Sequence, residues 1–566
     1  MKKVLYTFVC LAMAAGGFVG GLWFAGYRIK PIRISPNIHH NRQLPETADL
    51  GAYLAGILAR NSQDIERAAH YFEQAYLGDT ENKELVRETY LLNGLAGHFN
   101  IFMQTAEQLI GEEKSYYAPL FLAADAVKRG DYEYVLKNTP LFNSADYAQG
   151  LLYAVIRAWS HAALGNEIRA FQALNTLKEK KEALGTYWYQ KALIAIYLKK
   201  NLVAKEAFER LSQMELPTIA SLVAARQFYL SLNEWDKNNV LFQKYEKAVE
   251  DNKALGEILI NRADEPLLIT PRFGVGDAFF LISTVWDIQE KSAETGLMFN
   301  QLALYLVPDS NIYKIWGAEQ FEMIKYYKEA NKLYNLIRPT SGTILFKKAL
   351  NLMLMNDMEG AENLFKGLSQ QLPENSMLIT MLGNLYRDTN RPELAEQQYN
   401  SALKFVDEME DKEVANLHFM RAVVLDKMKR TEERDLSLIE ALKITPNDAK
   451  ILNYLGYVWI DEGKNVSQAV DYIKRAHQLT PKEAYIWDSL AWGYYKQEKY
   501  DVALSFAERA ADKMPYSALV QSHLGDIYFA LGRKREAKYQ YNKALNLKED
   551  MTDTLRVELT QKLSTR

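Results

Sequence analysis

Histidine is the side chain best placed to move protons or hold a metal near neutral pH. The eight in this 566-residue chain are His39, His40, His70, His98, His161, His418, His477 and His523. None lies in an H-E-x-x-H pattern, which sets two imidazoles one helical turn apart around zinc. His39 and His40 are adjacent in a proline-bearing stretch, where neighbouring positions impose no ligand geometry. The single cysteine, Cys10, excludes an intrachain disulfide and any thiolate cluster. No G-x-S-x-G elbow presents a serine nucleophile, and no G-x-x-x-x-G-K-[ST] loop cradles phosphates. GVGDAF, from Gly274 to Phe279, has two of the three dinucleotide-turn glycines but lacks the third and follows no parallel-strand pattern. It reads as a turn opening a helix. The 71 Asp and Glu form pairs by helical spacing alone, and no acid/base dyad stands out. No catalytic residue, metal site or cofactor is expected. A formal charge of -3 supplies no basic field for nucleic acid.

The elements that position side chains begin with an apolar segment. After Lys2 and Lys3, residues 4–27 carry no charge, and as a helix of about 1.5 Å per residue they are long enough to span a bilayer. The same residues read as a signal peptide with a small-residue site at Ala12-Met13-Ala14. The continuing run through Leu22, Trp23 and Phe24 favours a retained anchor. Lys2 and Lys3 put the N-terminus inside, although Arg28, Lys30, Arg33 and Arg42 charge the other flank. The expected location is the bacterial inner membrane with the remainder in the periplasm, or, if the segment is cleaved, a soluble periplasmic chain. Gly16, Gly17, Gly20 and Gly21 have the small-residue spacing that pairs membrane helices, so self-association through residues 4–27 is open. Residues 28–48, with Pro31, Pro36 and Pro45, read as an extended tether.

Everything after the tether repeats. A small residue in one helix is followed 12 residues on by a second and seven further by a third: Gly383, Ala395, Ala402; Ala491, Ala503, Ala510; Gly525, Ala537, Ala544. The first small position recurs at Gly56, Tyr90, Ala123, Ala158, Ala192, Arg226, Thr284, Ala318, Ala349, Gly383, Ala422, Gly456, Ala491 and Gly525, mostly 33 to 35 residues apart. Gly or Ala stands at 11 of these 14 positions, as close helix approach requires; Tyr90, Arg226 and Thr284 mark degenerate units, and Arg434 replaces a second-helix Ala. The pattern resembles the tetratricopeptide repeat, a 34-residue helix-turn-helix unit, and WDSLAWGYY supplies its Trp487, Leu490 and Tyr494 with Ala491 in place of Gly. The resemblance implies an all-α, right-handed superhelical solenoid.

The 58-residue step between Arg226 and Thr284 identifies a boundary, because Pro266, Pro271, Gly274 and Gly276 interrupt helical periodicity there. The expected organisation is anchor or signal 1–27, tether 28–48, a degenerate solenoid 49–257, an irregular junction 258–283, a second solenoid 284–547, and a capping helix and tail 548–566. DEMEDKE, residues 407–413, reads as an enlarged solvated loop. Leu555, Leu559 and Leu563 share one helical face and suit a cap on the last repeat.

Between Tyr485 and Lys496 one helix carries two stripes. Trp487, Leu490, Ala491 and Tyr494 are packing residues. Asp488, Trp492 and Tyr495, with Tyr457, Asp526 and Phe529 on neighbouring first helices, fall on the inner face, where aromatic anchors would bind a peptide segment or partner helix. Alternatively that face packs against itself or the cap. Lys450 and Asn453 hint at the Lys/Asn carboxylate clamp of chaperone-tail-binding repeats, from which Tyr457, Asp488 and Trp492 depart. Over residues 343–547 the chain also resembles long bacterial envelope-associated tetratricopeptide proteins, which implies an adaptor or assembly scaffold with a protein partner and no chemistry of its own. An enzyme or enzyme subunit with its site in residues 258–283, around Gly274, Gly276 and Asp277, is the contrasting expectation; a spacer without a dedicated ligand is the third.

Overall fold

The computed structural model describes residues 49–110, 117–140, 147–179, 183–214, 218–236, 239–251, 268–286, 293–338, 340–547 and 551–565. The anchor and tether of the sequence reading lie outside these residues, as does the first part of the expected junction. Every regular element among the described residues is a helix, and none is long and apolar enough to cross a membrane. Residues 37–364 form one compact unit and residues 365–566 belong to another.

The repeat register survives in the backbone. Seven residues after each first small position the chain enters the left-handed region, from Gln63 and Gly97 through Asn390 and Lys429 to Glu498 and Gly532. Only the position seven residues after Thr284 lies outside the described set. A single left-handed residue lets a helix end and the chain reverse, with the next amide reaching back to an orphan carbonyl. Arg533 does this, its amide donating to the Tyr528 carbonyl at 2.9 Å. First helices start on short polar caps: Asn375, Asp448 and Ser517 accept from the amides of Leu378, Ile451 and Val520.

Within the 365–566 unit, consecutive helices pair as hairpins: Ser376–Asp388 with Pro392–Ala402, Asp411–Lys427 with Thr431–Ile444, Ala449–Asp461 with Val466–Leu479, Ala484–Lys496 with Tyr500–Lys513, and Ala518–Ala530 with Lys534–Leu545. The small position is what lets them approach. A Cβ on Gly525 would stand 2.5 Å from the Tyr541 ring, and one on Gly383 would stand 2.7 Å from Tyr399. Arg434, the second-helix misfit, is fully buried. Its guanidinium bridges Asp426 at 2.6 Å, Glu462 at 2.7 Å and Asp435 at 2.8 Å, and Asp435 in turn accepts from the Trp459 indole. A charge thus replaces a methyl group because three carboxylates surround it. Residues 407–413 are part of a 3-10 helix, Leu403–Glu408, and the capping box of Glu410 and Glu413 that starts the next helix. Helix Asp553–Thr565 follows, with Leu555 and Leu559 buried against the last hairpin.

The 37–364 unit departs further from the sequence reading. Residues 271–283, expected to be irregular, lie in the helix Pro271–Trp286, and the expected boundary is interior to this unit; the division falls at 364/365, inside the segment read as the second solenoid. Pro271 occupies the first helical position, where its missing N–H costs nothing. Gly274 and Gly276 therefore lie within the helix and open none. Their role is clearance: a Cβ on Gly274 would stand 1.9 Å from the Trp159 ring. Trp159 is fully buried, its indole donates to Gln190 at 2.7 Å, and Gln190 donates to the Gly274 carbonyl at 3.2 Å.

Helix Pro271–Trp286 packs on the first helices Ala118–Arg129, Tyr147–Ala163 and Leu184–Tyr197; Ala293–Leu306 packs on Lys83–Ala96 and Ala118–Arg129. Both inserted helices are apolar on several sides, as helices buried on several sides must be. Gln301 donates to the Leu95 carbonyl at 2.8 Å, and the Tyr305 hydroxyl donates to Asp125 at 2.7 Å. The repeats then curl until Lys328 and Lys332 meet Asp64 and Glu66 at 3.1 and 2.7 Å.

Candidate functional site

Two regions concentrate polar chemistry, one in each unit. In the 365–566 unit the Trp492 ring is sandwiched between Tyr495, 4.8 Å away, and His523, 4.2 Å away, both nearly parallel to it. His523 Nδ1 lies 3.1 Å from both Asp488 carboxylate oxygens. Burial opposes charge on this imidazole, but the adjacent Asp488 charge and hydrogen bond outweigh it and raise the His523 pKa above its ordinary value. On the next repeat, Asp526 accepts from the Tyr541 hydroxyl at 2.8 Å and from Lys562 of the capping helix at 2.7 Å.

The six inner-face residues of the sequence reading are therefore divided. Asp488, Trp492 and Asp526 are buried and join one repeat to the next or to the cap; Tyr457, Tyr495 and Phe529 remain half-buried. Burial, with the charges of Asp461, Asp488 and Asp426, raises the Tyr457 phenol. The structure adds Lys562 and Tyr541 to the set: Lys562 lies beyond the repeats, and Tyr541, placed after Gly525 as Tyr399 is after Gly383, shows its bond to Asp526 only in the fold. Lys450 does not stand ready as a clamp: its ammonium lies 4.1 Å over the Phe419 ring, and burial pushes its pKa down to about 8.

In the 37–364 unit a cavity of about 790 Å³ opens where the inserted helix begins. Its floor is Asp277, which the sequence reading placed only within the irregular segment. One carboxylate oxygen accepts from the Tyr313 hydroxyl at 3.0 Å, whereas the other has no donor. The buried Tyr189 hydroxyl approaches it without completing a hydrogen bond. Loss of hydration dominates, and the Asp277 pKa is pushed up to about 7 despite these phenols. Tyrosine rings and aliphatic side chains form the walls, and Arg226 and Arg272 also line the space.

Comparison with known proteins bears on the hairpins. A family model, tetratricopeptide repeat, matches residues 520–551. That segment contains the hairpin in which Gly525 receives the Tyr541 ring, the same arrangement as Gly383 and Tyr399. This chain is a tetratricopeptide-repeat protein. A TPR repeat-containing protein of Pseudomonas aeruginosa, PA4667, is 28% identical over 168 residues, which are 30% of this chain and 28% of that relative. Among solved structures, the Cut9–Hcn1 hetero-tetramer of APC/C matches at TM-score 0.36 and 14% identity, covering 91% of this chain and 96% of that one. A tetratricopeptide repeat protein from Parabacteroides merdae matches at TM-score 0.37 and 13% identity, covering 45% and 99%. YrrB, described as having an unusual peptide-binding site, matches at TM-score 0.27 and 19% identity, covering 35% and 97%.

Stacked hairpins of this kind offer an extended surface along the array. Among the described residues no group of three His, Cys, Asp or Glu side chains gathers as a metal site requires.

Proposed function

We propose that this tetratricopeptide-repeat protein is a non-enzymatic adaptor of the bacterial cell envelope that holds a segment of a protein partner on the inner face of its C-terminal repeats. The observation that carries the reading is the row Tyr457, Tyr495 and Phe529. These residues sit on three successive first helices, half-buried, and the Tyr495 ring stacks on Trp492. Aromatic side chains held rigid lose little entropy on binding and anchor many interfaces. Envelope placement is supported by residues 4–27, whose length and lack of charge suit an inner-membrane anchor or an export signal.

An enzymatic reading centred on residues 258–283 has one observation in its favour, the position of Asp277 on a cavity.

Crosslinking in intact cells followed by mass spectrometry tests the adaptor. The native chain is compared with a Tyr457→Ala, Tyr495→Ala, Phe529→Ala variant whose helicity and melting are checked first. Trp492 is left in place because it is part of the repeat junction. A protein captured by the native chain and lost from the folded variant is expected; identical capture lists would sink the groove and move the reading to a spacer.

A further inference from the structure

The cavity of the 37–364 unit has the size of a small-molecule site, about 790 Å³. Among the residues that line it are buried hydrogen-bonding groups that complete no bond. Buried polar atoms in folded proteins are nearly always paired, so several unpaired ones on one cavity mark a place where donors are missing. Asp277 is 2% exposed and one of its carboxylate oxygens has no donor. Tyr189 is 1% exposed, and its hydroxyl faces Asp277 without completing a hydrogen bond. Asn311, 4% exposed, commits its amide nitrogen to the Arg338 carbonyl at 2.8 Å, which fixes the orientation of its side chain and leaves its oxygen without a donor. All three residues line the cavity.

Two acceptors and a phenol ask for a group with several N–H bonds, and an ammonium has three. The walls, including Tyr197, Tyr245, Val223 and Val307, suit an apolar body. At the opposite extreme of exposure Arg272 is open to solvent, and Arg226 lies 5.6 Å over the Tyr245 ring. Guanidinium groups favour a carboxylate. We propose that this cavity binds a small zwitterion of the α-amino acid class, with its ammonium on Asp277, Tyr189 and Asn311, its apolar side chain among the tyrosines, and its carboxylate toward Arg272 and Arg226. The same head group is presented by a free amino acid and by the amino terminus of a short peptide, which would leave past the arginines. The site is independent of the partner-binding face in the other unit.

Isothermal titration of the full chain decides it with four probes that share one ring: L-phenylalanine, the dipeptide Phe-Ala, phenethylamine without a carboxylate, and 3-phenylpropanoate without an amine. One of the first two is expected to bind, and which one binds distinguishes the sources. Removing the amine weakens binding about tenfold or more, as loss of a charge-assisted contact does. Asp277→Asn reduces affinity for every amine-bearing probe. Arg272→Ala weakens the zwitterions but leaves phenethylamine unchanged, a split that a merely structural role would not produce. Silence from all four probes at 10 mM would mean a water-filled cavity and overturn the proposal. Binding of 3-phenylpropanoate as tight as that of phenylalanine would also overturn it.

Discussion

At the scale of single residues, Asp277 carries a pH dependence whose sign follows from its surroundings. Desolvation is the largest influence and holds the carboxyl protonated to about pH 7 in the folded chain, with phenol contacts pulling weakly the other way. An unfolded Asp releases its proton near pH 4. Between these values the folded state binds the extra proton, so stability falls as pH rises through the window and is steady above it. Asp277→Asn keeps the shape and removes the charge. Thermal melts of the variant and the native chain should diverge from about pH 4 to 7, the variant being the more stable at pH 8; a gap independent of pH would contradict the assignment. This residue was legible as part of an unusual segment, yet nothing in its neighbours in sequence announced burial, because Tyr189 and Tyr313 come from helices far along the chain. Arg434 shows the same limit. Its misfit to the repeat was visible, whereas the reason, carboxylates eight and 28 residues away on two helices, was not.

At the scale of elements, the repeat hairpins were legible because their requirement is local: a small residue, a turn seven residues later, a polar cap. The helix from Pro271 was not, since Pro and Gly punctuate isolated sequences but here serve tertiary packing. Pro271 starts the helix, and Gly274 makes room for Trp159. That yields a prediction against propensity. In a helix interior Gly→Ala normally stabilises by about 1 kcal/mol. At Gly274 the new Cβ would fall 1.9 Å from the Trp159 ring, which is fully buried and tied to Gln190. The ring must move, and overpacking of this kind costs about 1 to 3 kcal/mol or more. Gly274→Ala should therefore melt lower than the native chain in calorimetry, while Gly→Ala at Gly367, where no atom lies within 4 Å of the added Cβ, should not. Equal melting of the two variants would mean the inserted helix is not held against Trp159. The inner-face residues were half legible for a related reason: spacing placed Asp488 and Trp492 together on one side of their helix, but only the fold shows that His523 already occupies that side.

At the scale of the whole molecule, repeat arrays are stabilised by neighbours, so their cooperativity extends only as far as contacts are continuous. One buried cluster runs from Ile65 to Ile344 and includes the inserted helices, a smaller one runs from Ala52 to Leu122, and neither has a buried member from the repeats around Trp459 and Trp492, which form clusters of their own. The division at 364/365 follows from the same separation. Two variants already motivated by packing then become probes of cooperativity. Arg434→Ala strands Asp426, Asp435 and Glu462 around a void; those carboxylates reach solvent in part, so the cost should lie toward the lower end of the roughly 3 to 5 kcal/mol seen when one partner of a buried ion pair is removed. Gly274→Ala strains only the first unit. If the cores are energetically separate, calorimetry resolves two transitions, Arg434→Ala lowering one and Gly274→Ala the other, and hydrogen exchange localises each loss of protection to its own unit. Were both substitutions to shift one and the same transition, cooperativity would run through the helix Met358–Gln371, which spans the division, and the chain would unfold as a single body despite its two compact units.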